Sequence, residues 1–161
     1  MTAATHADAV IAAIVERLSG AIAGASVQSW PDDPDKFRPR ARSTEILVTI
    51  DEWTWTVAPR PTRRYSLVIA LYAHSLVPGD GAQALIDAVS TSLQGWRPAG
   101  SGAIELIGAE LISRTGGQHL YMIRAETAHL WATGPVEDAH LPLVRITVEG
   151  DAALTVSLAE A

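Results

Sequence analysis

The sequence predicts an α+β fold: a mainly antiparallel four-stranded sheet with two helices on one face, in the order α-β-β-α-β-β, followed by a C-terminal β-hairpin. Three observations lead there. Apolar residues recur at helical spacing near residues 5–19 and again near 80–94. Long apolar or alternating runs lie between and after them, punctuated by Gly and Pro. Beyond Gly134-Pro135 the pattern becomes a strict two-residue alternation. Residues 1–135 therefore read as one α+β domain and residues 136–161 as a hairpin extension.

The first helix opens at Thr5, which can cap it with Asp8 three positions on, and Ile11, Ile14, Val15 and Leu18 form its apolar stripe. Gly20 to Gly24 loosens the chain, and Trp30-Pro31-Asp32-Asp33-Pro34-Asp35-Lys36-Phe37 reads as an ordered turn or loop. Glu45 to Asp51 reads as a strand with Ile46, Val48 and Ile50 on one face. Trp53 to Pro61, with two tryptophans and two prolines, reads as an excursion between strands.

Arg63 to Ser75 is the longest strand candidate and is apolar on both faces, with Leu67, Ile69 and Leu71 against Val68, Ala70 and Tyr72. Such a strand belongs at the centre of a sheet, covered by helices on one side and by something else on the other. In a small domain the second cover is often another subunit. Pro78-Gly79 ends this strand, and Asp80 with Gln83 suggests a capped second helix with Leu85, Ile86, Val89 and Leu93 as its buried stripe. Gly95 falls where a helix C-terminal glycine belongs.

Two further strands follow, about Ile104 to Ser113 and Gln118 to Trp131, joined by the turn signal Thr115-Gly116-Gly117. Leu143 to Val148 and Ala153 to Leu158 then alternate around Glu149-Gly150-Asp151. Val144, Ile146, Val148, Leu154, Val156 and Leu158 would share one apolar face of that hairpin. An isolated hairpin is marginal in water, so this one needs a domain or a neighbour to pack on.

Composition narrows the function. A chain of 161 residues with 48% hydrophobic and 19% charged residues can bury a core without metal or disulfide staples. It has no cysteine, which excludes thiol catalysis and zinc-thiolate sites. A net charge of −6 argues against broad binding to phosphate backbones, although Arg38, Arg40 and Arg42 cluster, as do Arg60, Arg63 and Arg64. No run reaches the roughly 20 apolar residues of a membrane span, so a soluble protein without membrane association is expected.

Motifs for chemistry are missing. His6, His74, His119, His129 and His140 form no HExxH pattern, and His119 and His129 lie too far apart along one strand to share an ion. Asp32, Asp33 and Asp35 lack the spacing of a calcium loop. Pro78-Gly79-Asp80-Gly81 precedes a helix but has no P-loop lysine. No GxSxG elbow occurs. The expectation is a protein without catalytic, cofactor-binding or metal-binding residues. Trp53 and Trp55, on one face if extended and near Arg60, Arg63 and Arg64, instead suit an interaction surface, or else they seal one edge of the core.

Three stretches together resemble the Mu-like phage tail terminator family. The first is the opening helix with Trp30-Pro31-Asp32-Asp33-Pro34-Asp35-Lys36-Phe37 and the strand at Ile46-Leu47-Val48. The second runs from Arg64-Tyr65-Ser66-Leu67-Val68-Ile69 to Gly81-Ala82-Gln83-Ala84-Leu85-Ile86-Asp87-Ala88-Val89. The third is the turn Leu93-Gln94-Gly95-Trp96-Arg97-Pro98. They span about residues 7–131. The C-terminal hairpin and the Trp53-Trp55 stretch depart from the family pattern.

The resemblance implies a virion tail protein assembled in the bacterial host cytoplasm. It would be one copy of a ring, sixfold by analogy, that caps the tail tube and stops its growth. Implied partners are further copies, the tail tube protein, the neck and, in contractile tails, the sheath. DNA would pass through the lumen without sequence-specific contact, as an acidic subunit permits. Residues expected at interfaces are Trp30, Phe37, Trp53, Trp55, Arg60, Arg63, Arg64, Val144, Ile146, Val148, Leu154 and Val156. Two alternatives stand beside this reading: another neck or head-tail completion protein of the same particle, and a small-ligand binding module with a deep polar-lined pocket.

Overall fold

The structure is a computed structural model describing residues 5–32, 37–40, 43–56, 62–74, 81–115, 117–130, 144–149 and 153–158, with the backbone alone for Thr56, Leu130 and the last two segments. Sequence expectations at Asp33 to Lys36, Arg42, Arg60, Pro78 to Asp80, Gly116, Trp131, Gly134, Pro135, His140, Leu143, Gly150 and Asp151 lie outside the described residues. The chain divides into two units, Met1–Trp131 and Ala132–Ala161.

In the first unit, helix α1 (His6–Ala21) begins as expected. Thr5 Oγ1 accepts from the Asp8 N–H, and Asp8 Oδ2 accepts from the Thr5 N–H at 2.8 Å. These bonds satisfy two donors that a helix start otherwise leaves open. They also hold the Asp8 carboxyl below its usual range. Val10, Ile14 and Leu18 are its buried line, with Ile11 and Val15 half-buried beside them.

The sheet has five strands, one more than the sequence predicts. They are β1 (Ala25–Ser29), β2 (Thr44–Thr56), β3 (Thr62–Ala73), β4 (Glu105–Thr115) and β5 (Gln118–Leu130), in the spatial order β1-β2-β3-β5-β4. The added strand β1 runs parallel to β2, pairing Ala25 with Thr44 through Ser29 with Val48, and the other pairs are antiparallel. Its sequence, Ala-Ser-Val-Gln-Ser, holds one β-branched apolar residue and gives no alternation to read.

A second correction concerns β2. It does not stop at Asp51 but continues through Trp53 and Trp55, with an irregularity between Ile50 and Glu52. The extra residue of a bulge lets a strand bend and keep pairing, so the tryptophans are strand residues rather than an excursion.

As expected, β3 is central and buried on both faces. Tyr65, Leu67, Ile69 and Leu71 face the helices, and Val68 and Ala70 face away. Helix α2 (Ala82–Leu93) packs on the same face as α1 and buries Ala82, Val89 and Leu93. Its N-cap is Gly81, while the expected Asp80 lies outside the described residues. Gly95, at φ +75°, closes the helix with its N–H donating to Ile104 O at 2.8 Å. Among the described residues no helix is long and apolar enough to cross a membrane.

In the second unit β6 (Val144–Glu149) pairs antiparallel with β7 (Ala153–Leu158). The register sets Val144 opposite Leu158, Ile146 opposite Val156 and Val148 opposite Leu154, which is the hairpin the alternation predicts.

Candidate assembly interface

One end of the sheet gathers three of the expected interface residues, Trp53, Trp55 and Arg63. Pairing places Trp55 opposite Arg63 and Arg63 opposite His129, one strand further in. The next row is Trp53, Tyr65 and Thr127. Both rows lie on the helix side of the sheet. Tyr65 is nevertheless fully buried, while Trp53 and Trp55 remain 50% and 55% exposed. The Arg63 guanidinium sits over the Trp55 ring, 5.6 Å from its centre, an arrangement that favours a cation on an aromatic face.

Beside this row His6, at the first position of α1, stacks on His129 and lies near Tyr65. His6 Nε2 is 3.1 Å from Ser101 Oγ, and His129 Nδ1 is 3.4 Å from the Arg63 carbonyl. Gly102 donates its N–H to Ala128 O, and Thr127 Oγ1 donates to Gly102 O. The start of α1, the loop around Gly102 and the ends of β3 and β5 are thus fastened together. No local pattern in the sequence relates His6 to His129, which lie far apart in the chain. His119 and His129 do sit at opposite ends of β5.

The remaining expected residues are spread elsewhere. Arg64 points to the opposite face and pairs with Glu126 at 2.9 Å, the arginine exposed and the glutamate half-buried. Phe37 packs on Tyr72, ring centres 5.7 Å apart, on the face away from the helices. The Trp30 N–H donates to Val48 O at 2.8 Å, and its side chain borders a hollow with Thr49, Val68, Met122 and Arg124. Trp30 also edges an open cleft of about 520 Å³ along α1, between Ile11, Ala12 and Val15, with Asp8, Glu16 and Asp32 at the rim. For Val144, Ile146, Val148, Leu154 and Val156 the structure gives the strand pairing alone.

Glu45 is buried at 3% exposure and accepts from the Arg40 N–H at 2.9 Å and Ser43 Oγ at 3.2 Å. A buried carboxylate needs such donors, and these fasten Arg40 and Ser43 to the sheet. Burial and then the Glu45 charge push the Tyr72 hydroxyl above its usual range. Among the described residues no group of three or more His, Asp or Glu side chains could hold a metal ion.

The comparisons give the class: this is a phage structural protein. The chain belongs to the Gp37 protein family, whose pattern matches residues 14–150. No curated protein matches it by sequence. Among solved structures it shares its fold with a chain described as part of the virion of a native gene transfer agent particle. That match has a TM-score of 0.57 at 14% identity and covers 79% of this chain and 99% of the other.

Proposed function

We propose that this protein is a subunit of a terminator ring that caps the tube of a phage-type tail and joins it to the neck or sheath. The observation that carries the reading is the Trp53-Trp55 surface. Two indoles about half exposed, with Arg63 laid over one of them, cost a monomer solubility and gain nothing for its core. Trp and Arg are the residues that most often anchor protein contacts. The likeness of fold to a chain of a gene transfer agent virion, and membership of a phage structural family, supply the setting in which such contacts form.

In this reading the protein acts by geometry alone. Copies meet side by side, one rim of the ring seats on the last tube layer, and the other rim presents a surface that tube subunits do not match. The test is growth of tail tubes from purified tube protein with and without this chain. Tubes that stop lengthening and carry the protein at one end support the terminator role. Tubes that grow unchanged, with the protein bound only to a portal or connector, assign it to the neck instead.

A further inference from the structure

Five large apolar side chains stand exposed among the described residues: Trp53, Trp55, Ile107, Leu111 and Ile112. All five lie on two strands that each have an open side. β4 is last in the sheet order, and among the described residues its outward side is engaged near its start, where Gln94 Oε1 accepts from the Leu106 N–H. β2 is paired along its length by β3, but β1 reaches only to Val48 on the other side. From Glu52 to Thr56 its outer side meets no strand among the described residues.

An open strand edge carries unpaired N–H and C=O groups and recruits another strand. We propose that these two edges pair with each other between copies, β4 of one subunit lying antiparallel along Glu52–Thr56 of the next. This rests on the ring reading and names the contact that closes it. The two edges are unlike, so each copy offers one and receives the other, and such head-to-tail contacts form a ring where the rotation between copies closes.

Charge selects the direction. β2 runs from Asp51 and Glu52 toward Trp55 and its neighbour Arg63, while β4 runs from Glu105 and Glu110 toward Arg114. A parallel arrangement would set acid against acid. The antiparallel one brings Trp55 against Leu111 and Ile112 of the next copy and carries Glu52 to the Arg114 end of that strand, while Glu110 lies on the other face, paired with Arg124 at 3.7 Å. Register shifts at both ends of Gly108–Leu111 leave only a short regular stretch on β4. Bulges on an edge discourage indiscriminate pairing, which suits one neighbour in one register.

The test uses two full-length double variants, W53K/W55K and I107K/I112K, each checked for an unchanged melting temperature and then weighed by light scattering. Each alone is expected to lose assembly and remain monomeric. An equimolar mixture is expected to give twofold mass, because one good edge of each kind remains. A variant that retains the wild-type assembled mass overturns the pairing while leaving the ring reading intact. Wild-type protein that is monomeric at every concentration overturns both. Since the chain has no cysteine, Trp55→Cys combined with Leu111→Cys or Ile112→Cys provides a test that does not depend on the lysine variants folding. Oxidation is expected to yield covalent ladders of copies. Assembly that persists with no cross-link in either combination overturns the proposal.

Discussion

The imidazoles of His6 and His129 stack with their centres 4.1 Å apart and their planes 23° from parallel. They join the first turn of α1 to the end of β5. Burial, then the nearby His6, and the Arg63 charge lower the proton affinity of His129, against a smaller opposing effect of its bond to the Arg63 carbonyl.

Stability should therefore depend on pH with a definite sign. The folded protein binds a proton at His129 less well than the unfolded chain, whose histidines titrate near about 6.5. Stability from this site is complete above that value and is lost as pH falls from there through the lower folded value. NMR titration should place His129 below an ordinary histidine, and His129→Gln should flatten the decline in melting temperature between neutral and mildly acid pH.

Glycine is required at 102 for space. A Cβ there would meet the Ala128 carbonyl oxygen at 2.9 Å, backbone that cannot swing aside. Gly102→Ala should cost about 1–3 kcal/mol, the range for forcing extra volume into a packed site. Gly108, where a Cβ would meet nothing within 4 Å, should accept alanine with a change of about 0.5 kcal/mol or less. Urea unfolding of the two variants makes the comparison.

Removing the Glu45 carboxylate should strand the Arg40 N–H and Ser43 hydroxyl that bond to it. Glu45→Ala is expected to lose about 1–3 kcal/mol and to raise hydrogen exchange at the Arg40 amide before the sheet itself opens.

Core and surface aromatics should separate cleanly. Ile69, fully buried in the central strand, should cost about 2–5 kcal/mol when cut to alanine. Trp55→Ala should change unfolding little yet weaken self-association, measured as the concentration at which assembled mass appears.

Much of this architecture was readable from residue pattern, and the gaps have physical causes. Thr5 with Asp8, the doubly apolar run Leu67 to Leu71 and the glycine at 95 are local signals that the structure keeps. β1 was not readable, because Ala25–Ser29 is short, largely polar and held by its parallel partner rather than by its own pattern. The residue pattern understates β2. The prolines beyond Trp55 suggested a loop, and an irregularity at Asp51 broke the alternation that would have shown the strand continuing.

For the candidate interface, sequence indicated Trp53, Trp55 and Arg63 through residue type alone, and the sheet brings them to one end. It could not indicate Ile107, Leu111 and Ile112, since an exposed edge strand and a buried one have the same apolar composition. Only the strand order β1-β2-β3-β5-β4 places β4 at the sheet edge. The His6–His129 stack is likewise a product of tertiary folding, with no spacing rule to announce it.

The most direct measurement is the mass of the purified 17.1 kDa chain by light scattering across protein concentration, followed by imaging of any larger species. A discrete closed oligomer of several copies, visible as rings of uniform diameter, is the expected result. A chain that weighs one copy at every concentration and does not seat on a tail tube would contradict the account.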